Sequence, residues 1–206
     1  MPVIWGRSNS LNVQKALWCC EELAVDYERI DAGGAFGVVN TPEYRRLNPN
    51  GLVPTLVDDG FVLWESNAIV RYLAAKHGSG ALWPTDPRRR ADADRWMDWH
   101  ISTFWPAIHP LFLGMVRTAP ELRNAQAIEN SRLKTAEVLR TVDAHLAAHP
   151  FLGGDAFGMG DIPFGCGIWR WMSLPIERPA SPNLERWFTA LQQRPAYKKV
   201  VMHPLT

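Results

Sequence analysis

The sequence has few cysteines, and none is spaced for a disulfide framework or a zinc site. Only three occur among 206 residues, Cys19, Cys20 and Cys166, and they form no CxxC pair. The adjacent Cys19 and Cys20 would point to different sides of a helix. Disulfide-stapled domains and structural zinc modules carry more cysteines at fixed spacings. We therefore expect neither disulfides nor a bound metal.

The chain also lacks an excess of charge of one sign. It carries 22 lysines and arginines against 21 aspartates and glutamates, for a formal net charge of +1. Strong attraction to phosphate backbones or anionic lipids requires a broad positive field. We therefore expect no nucleic-acid partner and no membrane partner. The one dense basic run, Arg88–Arg90, opens a helical pattern and is typical of a solvated face.

Long hydrophobic runs are absent as well. No segment approaches the ~20 apolar residues that span a bilayer. The first residues, MPVIWGRSNS, lack the charged first region and the long apolar stretch of a secretory signal. Together with the few cysteines, this predicts a cytoplasmic protein. The composition, 47% hydrophobic and 21% charged, is typical of folded globular chains.

The first third of the chain mixes strand and helix patterns. Apolar residues at helical spacing after a polar loop predict a helix behind the first strand, and Asp59-Gly60 predicts a tight hairpin. The glycine-rich segment 31–37 predicts a loop. The predicted strands are Pro2–Trp5, Asp26–Ile30, Pro54–Asp58 and Phe61–Trp64, and the second helix is Glu65–His77.

The rest of the chain shows only helical patterns. Glycines and prolines punctuate the segment from Gly78 to Pro87 and predict a linker. We therefore divide the chain into residues 1–78, a linker at 79–87 and an all-helical unit at 88–206. A long pair of antiparallel helices is predicted between 88 and 149, followed by helices at about 160–172 and 182–193 and a proline-interrupted tail.

Two motifs within this order of elements are specific. They are Asn48–Leu56, which reads NPNGLVPTL, and Leu63–Ile69, which reads LWESNAI. With the mixed strand-helix unit followed by a helical unit, the whole chain resembles the cytosolic glutathione transferases, in particular the bacterial, serine-type theta and delta forms. The resemblance implies an α/β thioredoxin-like N-terminal domain, an all-α C-terminal domain and a homodimer with a role in detoxification.

The resemblance also implies a function. The protein would bind glutathione as co-substrate, without a metal, and activate its thiol for attack on a small hydrophobic electrophile. Two alternatives use the same binding site: a glutathione-dependent disulfide or peroxide reductase, and a non-catalytic glutathione-transferase-like binding module. No pattern in the helical unit specifies the physiological electrophile.

The two motifs imply a glutathione-binding site. In the family the peptide bond before the residue matching Pro54 is cis, and Val53 would pair its backbone with the cysteinyl part of glutathione. Ser66, at a helix N-terminus, would hold the γ-glutamyl carboxylate, since free N–H groups and the helix dipole favour an anion there. Glu65 would accept from the γ-glutamyl ammonium.

Polar contacts to the glycyl end of glutathione are expected from two further segments. These nominate Asn50, in the turn before Val53, and Asn40, at the end of the glycine-rich segment. Delta-type relatives often have a histidine at the position of Gly51. This sequence has no side chain there to make the corresponding contact with the glycyl end of glutathione.

The thiol-activating residue is expected in the loop Arg7–Asn12. This loop contains neither tyrosine nor cysteine, which excludes the tyrosine-dependent and cysteine-dependent classes. Ser10 aligns with the catalytic serine of the theta and delta type. Asn12 stands where the family commonly has a proline and is a second candidate, and Ser8 is a third. Alternatively, Ser10 only caps the following helix.

The electrophile pocket is expected between this loop and the first long helix of the helical unit. That location nominates Leu11, Ser102, Trp105 and His109. The competing interpretation is that the aromatic residues of this helix belong to the core. Further on, Phe157–Ile162 resembles the family's helix-capping motif, with Gly158 where Ser or Thr is usual and Asp161 available to accept from backbone N–H groups.

Overall fold

A computed structural model of the protein describes all 206 residues, Met1–Thr206. The first unit is built on a four-stranded sheet, in the order β2-β1-β3-β4. Strand β1 pairs in parallel with β2 and antiparallel with β3, which pairs antiparallel with β4. The strands are β1 Val3–Trp5, β2 Glu28–Ile30, β3 Thr55–Asp58 and β4 Phe61–Trp64. All four predicted strands are present.

Three helices complete the first unit: α1 Leu11–Glu22, α2 Pro42–Leu47 and α3 Ser66–His77. Helices α1 and α3 were predicted, and their apolar faces are buried in the core. Helix α2 was not predicted. It is only six residues long, and it is stabilised by Pro42 in its first turn and by Thr41, whose hydroxyl accepts from the Tyr44 N–H. So short a helix produces no periodic apolar pattern.

The second unit is entirely helical: α4 Pro87–Trp99, α5 Trp105–Phe112, α6 Ala125–Ala148, α7 Asp161–Ser173, α8 Pro182–Gln192 and α9 Pro195–Val200. The first of the two predicted long helices contains two π-helical segments, His100–Phe104 and Leu113–Arg117. Helix α9 lies in the segment expected to be an irregular tail. None of the helices is both long enough and apolar enough to cross a membrane.

Two leucines of the second unit are not buried. Leu122 is 74% exposed and Leu133 is 53% exposed. Leu122 lies in the short 3₁₀ turn before α6, and Leu133 lies on the outer face of α6, whose buried residues include Val138, Leu139 and Val142. Apolar spacing alone does not show which helical face meets a neighbour.

The segment between the two units is packed rather than loose. Helix α3 ends at His77 and α4 begins at Pro87. Between them, Leu82 is buried in the core and its carbonyl accepts from the Met159 N–H at 3.3 Å. The assignment of residues 79–87 as the boundary between two domains remains a prediction.

The two units meet across α1 and α3, the helices whose N-termini form the site described below. Trp18 of α1 is fully buried and packs edge-on against Tyr197, with ring centroids 4.7 Å apart. Arg194 donates two hydrogen bonds, of 2.7 and 2.6 Å, to the carboxylate of Glu22. These contacts fix α1, and therefore the loop before it, against the helical unit.

The capping motif before α7 centres on Asp161. Its carboxylate accepts from three buried donors: the N–H groups of Leu152 and Gly158, each at 2.9 Å, and the indole Nε1 of Trp187 at 2.8 Å. Asp161 therefore accepts from backbone N–H groups, but both donors precede α7 and do not lie in its first turn. The bonds to Leu152 and Trp187 tie the start of α7 to a loop and to α8 as well.

Candidate active site

Two adjoining cavities lie where the N-terminus of α1 meets the sheet and α5. The larger has a volume of about 490 Å³ and the smaller of about 50 Å³. Asn12, Leu52 and Val53 line both of them. A ligand that occupies both would therefore pass directly over the first turn of α1.

The smaller cavity is built at the N-terminus of α3. Glu65 occupies the N-cap position with φ 74° and ψ 110°, an unusual backbone conformation for a residue with a side chain. No side chain caps this helix, so its first N–H groups remain available to a ligand. Strained backbone of this kind is concentrated at binding sites. The helix end is suited to an anion such as a carboxylate.

Ser66 connects this helix end to α1. It is buried, and its hydroxyl donates to Asn12 Oδ1 at 3.3 Å while accepting from Lys15 Nζ at 3.4 Å. Lys15 is only 2% exposed, and burial lowers the pKa of its ammonium to about 8, although the carboxylate of Glu65 acts in the opposite direction. A buried ammonium beneath Ser66 adds to the attraction for an anion.

The remaining motif residues are placed around the same cavity. The Val53–Pro54 peptide bond is cis, as the sequence analysis predicted. Val53, Pro54 and Asn50 all line the smaller cavity. Asn50 donates its side-chain amide to Asn48 Oδ1 at 3.1 Å, which holds the turn in place.

Asn40 is not brought to the site. It is exposed, it lines neither cavity, and its Oδ1 accepts from Arg45 Nη2 at 2.9 Å. Arg45 also donates to the carbonyl of Pro49 at 2.7 Å. Asn40 therefore braces the loop before the motif from its outer side.

The three candidate thiol-activating residues occupy different environments. Ser10 lines the larger cavity at the N-cap position of α1, is 8% exposed, and makes no side-chain hydrogen bond to the helix end. The Oδ1 of Asn12 already accepts from Ser66. Ser8 is exposed and lines neither cavity. Ser10 and Asn12 both combine cavity access with a group that can donate, but the Asn12 side chain is already held by Ser66 through its Oδ1.

The larger cavity contains three of the four residues predicted for an electrophile pocket. Leu11, Trp105 and His109 line it. Ser102 does not: it is exposed, and its hydroxyl lies 3.3 Å from Thr103 Oγ1. Ser102 would share a face with Trp105 and His109 in a regular α-helix, but it lies in the π-helical segment, where the wider turn changes the angular offset.

The chain matches two family models. Residues 9–76 match the N-terminal domain of glutathione S-transferases, and residues 104–195 match their C-terminal domain. It is 45% identical over 208 residues to glutathione S-transferase GstB of Escherichia coli, with 100% of both chains covered. The chain belongs to the glutathione S-transferase family.

A solved structure agrees with this assignment. The theta class glutathione S-transferase of Xanthomonas axonopodis pv. citri, crystallised with glutathione bound, superimposes with a TM-score of 0.96 at 53% identity, over 100% of this chain and 99% of that one. Glutathione S-transferase 3 of Zea mays is 32% identical, over 96% of this chain and 92% of that protein. The predicted fold class and enzyme class are thereby confirmed: this is a glutathione S-transferase.

Several charged residues of this transferase's site were not identified in the sequence. Arg7, Arg117 and Arg170 line the larger cavity, and Lys15 lies beneath Ser66. One signal was available: Arg170 is the only basic residue of α7, in the otherwise apolar run GIWRWM. A lone charge in an apolar helix face is rarely buried without a role.

Proposed function

We propose that this transferase binds glutathione across the smaller cavity and uses Ser10 to hold its thiol as a thiolate for attack on an electrophile in the larger cavity. The observation that carries the proposal is the unpartnered Ser10 hydroxyl beside two joined cavities, one of which ends at an uncapped helix N-terminus. Hydrophobic walls at Leu11, Trp105 and Phe112 favour an apolar electrophile.

The energy needed for thiol activation is within reach of one hydrogen bond. A free thiol with a pKa of about 8.5 is only ~3% thiolate at pH 7. Lowering its pKa by about two units makes the thiolate the majority form and requires ~2.7 kcal/mol. One hydrogen bond to a charged group contributes about 1.5–3 kcal/mol, and the positive end of α1 adds to it.

In the proposed step Ser10 donates a hydrogen bond and keeps its proton. The thiol proton passes to solvent when glutathione binds. The thiolate sulfur then forms a bond to the electrophilic carbon, and the leaving group departs with the electrons of its own bond. The serine is therefore not the nucleophile, unlike the serine of a hydrolase.

Binding of glutathione in this proposal depends on the α3 end of the site. The γ-glutamyl carboxylate lies against the Ser66 hydroxyl and the N–H groups of the first turn, with the Lys15 ammonium below it. The Glu65 carboxylate accepts from the γ-glutamyl ammonium, and the Val53 backbone pairs with the cysteinyl unit. Asn50 is close enough to the cavity to contact the peptide. We do not propose that Asn40 contacts glutathione.

The function and the binding site can be tested together. We expect the protein to be retained on immobilised glutathione and to conjugate 1-chloro-2,4-dinitrobenzene. Ser66→Ala should raise the dissociation constant of glutathione about tenfold or more, the loss expected for one hydrogen bond to a charged group. Titration calorimetry measures the constant, with Ser173→Ala, an exposed serine outside both cavities, as control.

Other outcomes would indicate a different activity. Turnover of an organic hydroperoxide or of a mixed disulfide, without conjugation, would identify a reductase. Retention on glutathione with no turnover of any of these substrates would identify a binding module. An unchanged glutathione affinity in Ser66→Ala would remove that residue from the site.

We further propose that the protein is a cytoplasmic homodimer with a role in detoxification, as in the family it belongs to. Sedimentation equilibrium at micromolar protein concentration is expected to give twice the 23.3 kDa mass of the chain. A monomer mass that persists at the highest soluble concentration would contradict the dimer.

A further inference from the structure

The larger cavity is lined by an unusual set of charges. Three arginines, Arg7, Arg117 and Arg170, contribute to its wall, and no aspartate or glutamate does. His109 lies in the same wall. A pocket for purely apolar molecules has no need of three guanidinium groups, because each must be kept partly desolvated.

The three arginines also lack aspartate and glutamate partners elsewhere. Arg7 donates to Asn9 Oδ1 at 2.8 Å. Arg117 bonds a main-chain oxygen of Thr206 at 3.3 Å and lies over the ring of Phe112, 5.2 Å from its centroid. None of the three forms a salt bridge with an aspartate or glutamate side chain.

Arg170 is the most deeply placed of the three. It is 4% exposed and donates to Gln14 Oε1 at 2.7 Å and to the carbonyl of Cys166 at 2.8 Å. Its Nε is buried and has no hydrogen-bond partner. A buried guanidinium with an unsatisfied N–H and no counter-charge is costly.

The positive charges of these arginines also lower the pKa values of Arg7 and Arg170. Burial lowers the pKa of Arg7, and the charge of Arg117 lowers it further. Burial likewise lowers the pKa of Arg170 to about 10, with Arg117 and Arg7 adding to the effect. Other arginines of this chain are neutralised: Arg194 pairs with Glu22 and Arg71 with Asp94. An anion in the cavity would relieve the repulsion between the three guanidinium groups.

We propose that Arg7, Arg117 and Arg170 make the larger cavity select electrophiles that carry a carboxylate on an apolar or aromatic body. This inference rests on the proposed function and names the substrate class of the same site. The rings of Trp105 and Phe112 contact the apolar body, while the guanidinium groups bind the carboxylate, for which their planar donor geometry is well suited.

A suitable probe is 4-chloro-3,5-dinitrobenzoate, compared with its neutral carboxamide. In either compound the glutathione thiolate forms a C–S bond at the ring carbon that carries chlorine. The C–Cl bond breaks and chloride leaves with its electron pair, while the thiol proton has already passed to solvent. The two probes differ in the intrinsic reactivity of the ring, but that difference is the same for wild type and variant, so a change in the ratio of their rates reports on binding.

The test measures kcat/KM for both probes in the wild type and in Arg7→Gln and Arg117→Gln. In each variant the ratio of the carboxylate value to the carboxamide value should fall about tenfold or more, as expected for a lost charge-assisted hydrogen bond. Arg117→Lys should retain part of the ratio, because lysine keeps the positive charge but lacks the planar pair of N–H donors of a guanidinium group. Arg88→Gln removes an exposed arginine far from both cavities and should leave the ratio unchanged.

A binding measurement keeps the test valid for a variant with little turnover. Unreactive 3,5-dinitrobenzoate should quench the tryptophan fluorescence of the protein in the presence of glutathione, with a dissociation constant about tenfold higher in both glutamine variants than in the wild type. An unchanged constant in both would overturn the proposal.

Two further results would show that the three arginines have a different role. Equal losses for both probes, with a raised KM for glutathione, would show that the guanidinium groups hold a carboxylate of glutathione itself. Equal losses with a raised thiol pKa would show that they stabilise the thiolate. Either result would overturn the inference and leave the proposed function intact, whereas a wild-type protein that conjugates neither probe would contradict the proposed function.

Discussion

Replacing Ser10 by alanine is expected to raise the pKa of enzyme-bound glutathione by about one to two units, toward the ordinary value of about 8.5. At pH 7 the thiolate fraction, and with it kcat/KM, should fall about 3- to 25-fold, from about three-quarters thiolate to between about a quarter and ~3%. The reason is that the Ser10 hydroxyl lines the larger cavity and makes no bond to the helix end, whereas the Asn12 side chain is already held by Ser66. Thiolate absorbance in the ultraviolet, titrated against pH in the glutathione complex, measures this pKa directly.

Two matched variants make this experiment decisive. Ser8→Ala removes the same hydroxyl from the same loop, but Ser8 is exposed and outside both cavities, so the thiol pKa should not change. Asn12→Ala breaks the contact with Ser66 and should affect the affinity for glutathione more than the thiol pKa. If Asn12→Ala raised the thiol pKa and Ser10→Ala did not, the catalytic role would belong to Asn12.

Replacing Asp161 by alanine is expected to lower the free energy of unfolding by about 3–5 kcal/mol. Three buried donors, the N–H groups of Leu152 and Gly158 and the indole of Trp187, would lose their shared acceptor. Each unsatisfied buried donor costs about 1–3 kcal/mol, and part of the total is recovered where water enters. Urea unfolding followed by tryptophan fluorescence measures the change.

The pH dependence separates hydrogen bonding from charge at this position. Burial raises the pKa of the Asp161 carboxyl to about 6, against the opposing effect of its three donors. In the window from about pH 4 to 6 the unfolded chain has released this proton while the folded chain keeps it. The stability contributed by this group therefore falls as pH rises through the window and levels off above it.

Asp161→Asn is the matched control, because an amide of the same size does not titrate. Its stability relative to the wild type should rise between about pH 4 and about pH 6, although it retains only one acceptor atom for three donors. If the difference between wild type and Asp161→Asn were the same at both pH values, the carboxyl would not carry a raised pKa. A small effect of Asp161→Ala at every pH would mean that water replaces the lost acceptor.

The predictions that succeeded depend on interactions between residues near one another in the chain. The Asp59-Gly60 turn fixes the hairpin of β3 and β4, and Gly78 ends α3. The Val53–Pro54 and Glu65-Ser66 pairs also lie in short motifs, each positioned by the strand or helix that adjoins it. Elements without such a local signal were missed: α2 and α9, six residues each, and the two π-helical segments, whose wide turns the apolar pattern does not reveal.

By itself, the sequence determined the family, through the motifs at Asn48–Leu56 and Leu63–Ile69, and the order of strands and helices, which follows from local turn chemistry and apolar periodicity. Tertiary structure alone decided which side chains share the cavity. Arg7 and Arg170 meet only because α7 packs against α1, where Arg170 bonds Gln14. The packing of α1 against α3 places Lys15 beneath Ser66. The π-helical segment turns Ser102 away from the cavity, and Arg45 holds Asn40 on the outer side of its loop. Such long-range contacts depend on how helices pack, which spacing along the chain does not specify.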